Sequence, residues 1–600
     1  MKITQFRTQL LFCSCLACGM FMSGCSDGDY DLSSVDAKLG IGSELSLPSD
    51  NSVIVKFDDI FDLGNSDIIT TTENGDYVLG KKPEEVSPVN VYIDPLLQDI
   101  NLSDGATLPI ELPAAITPFQ GQTIDVSDLP IEAAGAVSLL EYTFSAENLV
   151  KDVSHIKIGN GSDTKITVDI TLPVAVKAFK RLKIQMPQNL EFVYLGNLAT
   201  LSDDNVLDLG EYDAATKGSM IHLEFYLTGI KIHKYSDVNY VKFVPATAIA
   251  KPYVELKCNI EVDLKAKTLE VPSTTTINVS GLPKLDPIYI TGATGIFDPD
   301  IELDDLGTVT INDIPDFLSD ENSNKDEGKE LVVDIANPQI WLTLKSNMPL
   351  GGIIDAKITS DTYPQGVIIN GIELAGKPEG ATTDAETKIV LCRKAPENLN
   401  GYTPIEKDDL SRLIEKLRNG MQLKFSATQA KAKQDVATVD MGVNYHLQPV
   451  YEFTAPLALG DKARIVYNSS VDDWNGDLKD LNLSAGSVLT LEAAVDNQAP
   501  ADLEINITPF FADGIMVAGL VVTPIQNKVA AGATGATIKY EIKDLDGTGL
   551  NQLDGIEYEM LVTSPASGSS EKGKVLNKNQ KIVIKTQSLH LSGKVIVDAD

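Results

Sequence analysis

"ELKCNIEVDL", residues 255–264, alternates polar side chains (Glu255, Lys257, Asn259, Glu261, Asp263) with apolar ones (Leu256, Cys258, Ile260, Val262, Leu264). A period of two belongs to a strand whose successive side chains face opposite ways, one set to water and one to a core. The pattern recurs in "KITVDITL" (165–172), "MIHLEFYL" (220–227), "MQLKFSA" (421–427), "DLEINIT" (502–508) and "KIVIKT" (581–586). Turn-forming clusters separate these runs: "GNGSD" (159–163), "SNMPLGG" (346–352), "DNQAP" (496–500) and "DLDGTG" (544–549). Many strands punctuated by such turns predict an all-β chain of tandem immunoglobulin-like β-sandwich modules, not alternating βαβ units.

One segment breaks the pattern. "TPIEKDDLSRLIEKLRNG" (403–420) offers Thr403 as N-cap, Pro404 at the first helical position and Glu406 for a capping box. Leu410, Leu413, Ile414 and Leu417 share one helical face, and Asn419-Gly420 supplies the stop. The spacing predicts one short amphipathic helix over 404–419, closing an end of its sandwich. A weak internal repeat also shows. Leu223-x-Phe225-x-x-Thr228 returns as Leu423-x-Phe425-x-x-Thr428, each after a strand–turn–strand unit. On these grounds the chain divides into a signal segment (1–24), an acidic tether (25–50), a small β domain (51–147) and three larger modules. Those modules run 148–272, 273–456 and 457–600, with borders at "EVPSTTT" and "PVYEFTAP".

The N-terminus carries an address. Lys2 and Arg7 precede an uncharged apolar run from Leu10 to Met22, which has signal-peptide length and is short for a membrane span. Ser23-Gly24-Cys25 follows and resembles the lipobox of bacterial lipoproteins. Ser26-Asp27-Gly28-Asp29-Tyr30-Asp31 resembles the acidic export signal of surface lipoproteins of the Bacteroidota. The resemblance implies cleavage before Cys25, lipidation of its thiol, and an outer-membrane location facing the cell surface. The membrane would then be a partner through lipid alone.

Composition narrows the other partners. A net charge of −36 repels phosphate backbones, so nucleic acid is not expected. The five histidines, His155, His222, His233, His446 and His590, form no close ligand pair, and no nucleophile elbow, phosphate loop or dinucleotide fingerprint occurs. No catalytic, cofactor or metal residue is therefore assigned. A carboxylate pair hidden among 85 acidic residues would escape such a search. "DLDGTGLNQLDG" (544–555) imitates a calcium loop but ends on Gly555 where glutamate belongs, and "DENSNKDEGKE" (320–330) has Lys325 where glycine belongs. Both read as acidic hairpin loops. Cys258 and Cys392 lie in strand-like segments and read as small apolar residues, although a bridge between them is chemically permitted. Of two tryptophans, Trp341 has apolar neighbours and Trp474 sits among turn residues. The expectation is a non-enzymatic envelope protein, adhesive, scaffolding or accessory, with a protein partner. The alternative is a glycan-binding accessory lipoprotein of a nutrient uptake system, with Trp474 as its contact.

Overall fold

The computed structural model describes residues 45–46, 52–56, 68–100, 102, 105–147, 149–159, 164–299, 306–314, 318–319, 330–471, 483–511 and 519–593. Cys25, most of the tether, Trp474 and nearly all of the 320–330 loop lie outside these residues. The described residues are nearly all β, and their six sheets pair into three sandwiches. In the first, a nine-stranded and a six-stranded sheet enclose Phe179, Leu182, Leu223, Phe225 and Ile260. In the second, a four-stranded and a seven-stranded sheet enclose Leu79, Leu342, Ile358 and Leu423. The third joins a six-stranded to a four-stranded sheet around Val495, Leu503, Tyr540 and Ile542.

The quoted stretch lies within the longest strand, Tyr253–Glu270, which is 18 residues long. At about 3.3 Å per residue it spans roughly 55–60 Å. It pairs with Glu132–Ser145, Val176–Gln185, Tyr240–Val244 and Thr123–Asp125. From Val254 to Ala266 its alternation holds except at Asn259, which is buried although its parity is polar. A register shift against Glu132–Ser145 falls between Cys258 and Asn259. The extra residue of this bulge is Leu139 on the partner strand, so the core face of Leu256, Cys258, Ile260 and Val262 runs on unbroken. Asn259 is buried on the other face, where its backbone N–H donates to Asn239 Oδ1 (2.6 Å) and its side chain donates to the Val238 carbonyl.

The path of the chain redraws the division read from the sequence. Leu45–Ser46 and Ser52–Lys56 pair with Lys581–Ser592 in the third sandwich. Tyr77–Glu85 and Val89–Tyr92 then pair with Asn444–Pro456 in the second. Leu96–Gln98, Ala106–Glu111, Thr123–Asp125 and Glu132–Ser145 belong to the first. After this arm the chain builds the first, second and third sandwiches in forward order. Residues 51–147 are therefore not a separate small domain. They are strands distributed over all three bodies.

The expected borders move for the same reason. "EVPSTTT" only connects Tyr253–Glu270 to Thr276–Leu285, which pairs with Lys165–Thr171 inside the first sandwich. "PVYEFTAP" lies within the strand Asn444–Pro456. The expected helix over 404–419 is also corrected. Thr403–Glu406 is a strand, parallel to Ile389–Cys392, and only Leu410–Leu413 turns, as a 3-10 helix. Leu410, Leu413, Ile414 and Leu417 are nonetheless all buried. Glu406 accepts the Ala395 N–H (2.9 Å) instead of closing a capping box. The repeat has a structural counterpart, since Phe225 lies opposite Ile166 and Phe425 opposite Ile358 in corresponding pairings.

The sandwiches are joined by packing and by strand pairing. Val436–Asp440 leaves the second body to pair with Ile288–Phe297 at the edge of the first. Phe297, Val439 and Tyr445 form a small core at this joint. The Tyr445 hydroxyl accepts the Asp440 N–H (2.8 Å) and donates to the Asp440 carbonyl (2.9 Å). Between the second and third bodies the core is continuous. There the buried Asp334 carboxylate meets Arg393 (3.1 Å) and accepts the Lys462 N–H (2.9 Å).

Candidate functional site

The candidate site is a cleft of about 450 Å³ at a corner of the first sandwich. Its first wall follows the strand Ala106–Glu111, after which Pro113 leads into a 3-10 turn, Ala114–Phe119. Prolines at 113 and 118 limit this segment to a short turn, and no side chain caps it. Ile116 points inward and is 3% exposed, whereas Phe119 is left 44% exposed over the opening. Gly121, at φ +77°, then reverses the chain, and its N–H donates to the Val271 carbonyl (2.9 Å).

The second wall is the short strand Thr123–Asp125, held against Thr268–Glu270, and the turn that follows it. Ile124 and Leu129 extend the apolar lining, and Asp125 and Asp128 place two exposed carboxylates at the rim. Hydrogen bonds from Ser127, hydroxyl first and backbone N–H second, hold Asp125 below the ordinary carboxylate range. Lys267 and Lys180 act on it more weakly, and the Lys267 ammonium is itself engaged by Glu211 (2.7 Å). The result is a greasy floor with a negative lip.

The residues singled out in the sequence are not brought to this cleft. Asp544 is fully buried, and its carboxylate accepts N–H groups from Gly547 (2.7 Å), Leu550 (3.0 Å) and Asp546 (3.1 Å). It organises the turn with its oxygens turned to backbone, but the expected hairpin loop is corrected: Ala536–Asp544 and Leu553–Thr563 lie in different sheets, and the segment crosses between them through the short helix Gly549–Gln552. No cluster of three metal-ligating side chains occurs among the described residues. Cys258 and Cys392 are both free and lie in different sandwiches. Burial pushes the Cys258 thiol up to about 12. Trp341 is half-buried, donates from Nε1 to Thr454 Oγ1 (2.9 Å) and meets the Tyr402 ring edge-on.

The histidines carry more structure than their spacing suggested. His155 contacts Glu191 (2.9 Å) and His446 contacts Asp384 (2.8 Å). His222 lies between Asp169 (2.6 Å) and Glu224 (3.2 Å), while Lys165 takes the Glu224 carboxylate (2.7 Å). These bonds, to Asp169 first and Glu224 second, raise the His222 pKa above 6.5. A raised folded-state value means that the contribution to stability is fully present below pH 6.5. It is lost as the pH rises through the folded-state pKa. With its side chain 52% exposed, the contribution is at most about 1 kcal/mol. We expect His222→Gln to lower the first sandwich's urea midpoint more at pH 6 than at pH 9. An equal deficit at both values would show that charge plays no part.

Sequence reasoning missed the cleft. Its signal is faint: "AAITPFQGQ" (114–122) shows a phenylalanine between proline and a turn, with no periodicity to flag it.

The sequence matches no family model, and no curated protein matches it. Among solved structures, a protein from Parabacteroides distasonis, classed as secreted by its name alone, is 17% identical with a TM-score of 0.31. The match covers 50% of this chain and 90% of that one. The VP2 subviral particle of infectious bursal disease virus is 10% identical over 81% of this chain and 87% of its own, with a TM-score of 0.13. A triple jelly-roll turret protein of an archaeal virus is 10% identical over 82% and 91%, with a TM-score of 0.11. Likenesses this slight carry no argument about function. No described helix is long and apolar enough to cross a membrane, a statement that does not extend to strands.

Proposed function

We propose that this chain is a lipid-anchored, non-enzymatic protein of the bacterial outer membrane, displayed at the cell surface, that serves as a scaffold or accessory binding subunit for another protein. The observation that carries the reading is the arm. The segment leading from Cys25 enters the structure at Leu45–Ser46, paired with Leu591 and His590 in the third sandwich. An anchor at Cys25 would thus tie the third body to the membrane, with the second following through the shared core and the first through the strand-paired joint. Sandwiches of this kind hold loops in place, and recognition resides on such loops.

The anchor has its own test. Cys25→Ala abolishes metabolic labelling with palmitate and moves the full chain out of the membrane fraction. Replacing Asp27, Asp29 and Asp31 by alanine keeps the label but reduces cleavage by protease added to intact cells. An unlabelled wild-type chain would remove the anchor from the reading. Unchanged protease access in the triple variant would remove surface export. The glycan alternative rests on Trp474, outside the described residues, and no feature of the cleft favours a sugar over a peptide.

A further inference from the structure

We infer that the cleft between Ala114–Phe119 and Thr123–Leu129 is a docking site for an extended protein segment that places an apolar or aromatic side chain beside a lysine or arginine. Its geometry specifies both halves of this ligand. The floor, from Ile116, Phe119, Ile124 and Leu129, is apolar, and the volume, about 450 Å³, falls in the ordinary range of ligand-binding clefts. A phenylalanine left 44% exposed above an apolar hollow gives up water on both surfaces when covered. The lip adds sign. Asp125 and Asp128 are the charged groups that line the cleft. Asp125 is fixed in orientation by the Ser127 N–H (2.8 Å), and so presents its charge without a further ordering cost.

Charge complementarity selects the occupant. A second copy of this chain carries −36 and would bring like charge to an acidic lip. A basic, apolar segment meets attraction at the rim and burial at the floor. Placement agrees with this. Ala106–Glu111, which leads into the cleft, is one edge of the nine-stranded sheet, and Val436–Asp440, the joint to the second sandwich, is at the other. The cleft therefore opens on the edge of the first body that the joint leaves clear. Val174 and Met220, 69% and 62% exposed, mark neighbouring turns at the same end.

This inference deepens the binding role proposed above, yet its test does not depend on the anchor. Purified full-length chain lacking only residues 1–25 is titrated, at 150 mM salt, into three fluorescein-labelled hexapeptides: alternating Lys-Trp, alternating Glu-Trp and alternating Lys-Ser. Anisotropy should rise with saturation for Lys-Trp alone. Phe119→Ala and the double change Asp125→Asn, Asp128→Asn should each weaken that binding by tenfold or more. Asp435→Asn, an acidic change at the joint, should leave it unchanged. Thermal midpoints equal to that of the parent show that the variants are folded, and Phe119→Leu replaces Phe119→Ala should the latter shift. Several outcomes overturn the site. These are no saturable binding, equal binding of Lys-Ser, equal binding of Glu-Trp, or Lys-Trp binding that survives both cleft variants. Sedimentation showing a dimer lost in Phe119→Ala would assign the cleft to a second copy and overturn the peptide reading. Membrane fractionation of Cys25→Ala decides the anchor separately, so either idea can fail alone.

Discussion

Leu79→Ala is expected to destabilise the second sandwich by about 2–5 kcal/mol, the cost of emptying a fully packed leucine site. Leu79 is 1% exposed and packs in the core shared by the second and third bodies, although it lies in a strand of the N-terminal arm. The effect should appear in urea unfolding as an earlier transition for those bodies, with the first sandwich's transition in place. Among the described residues its core is a separate cluster, which meets the second body at the small joint. If all transitions move together, the three sandwiches unfold as one unit. If none moves, the arm is not part of the second core.

Asp334→Ala should be nearly as damaging, roughly 2–4 kcal/mol, because it removes a buried carboxylate and leaves the Arg393 guanidinium without its partner. The carboxylate is 4% exposed and Arg393 is 29% exposed, so water softens part of the loss. The lost bond to the Lys462 N–H adds to it, since a donor at a tight turn then lacks an acceptor. Gly460 lies against the same carboxylate, where an added Cβ would collide with Asp334 Oδ2. Gly460→Ala should therefore reproduce part of the defect with both charges present. Proteolysis between residues 456 and 464 is the sensitive readout for a loosened joint.

Alternation made the faces of the strands legible. Leu256, Cys258, Ile260, Val262 and Leu264 are all buried, as the period of two requires. Partners were not legible, because alternation specifies which side of a strand is apolar and says nothing of which strand lies beside it. That is why the arm read as a small domain of its own. The segment 403–420 fails for a related reason. Leu410, Leu413, Ile414 and Leu417 are buried as a helical face would be, but Thr403–Glu406 gains ladder hydrogen bonds beside Ile389–Cys392, and Pro404 is tolerated because that strand is at the sheet's edge. Tertiary pairing outweighed local capping. Cys25, the residue most firmly assigned from sequence, lies outside the described residues, and its test remains chemical.

The route of the arm also sets a timetable for folding. The strands that leave the ribosome first find their partners last, since Ser46 waits for His590 and Tyr77–Glu85 waits for Asn444–Pro456. Only the first sandwich has all its internal strands once residue 297 has emerged; the second closes about 160 residues later and the third at the very end. The nesting resembles brackets, opened in one order and closed in the reverse. A chain wired this way leaves the strands of its arm, Leu45–Ser46 and Tyr77–Glu85, without their ladder partners while the segments between are still being made. Completion falls to Lys581–Ser592, the strand that captures the first two of the arm. Loss of that strand should leave the third body open while the first is already complete.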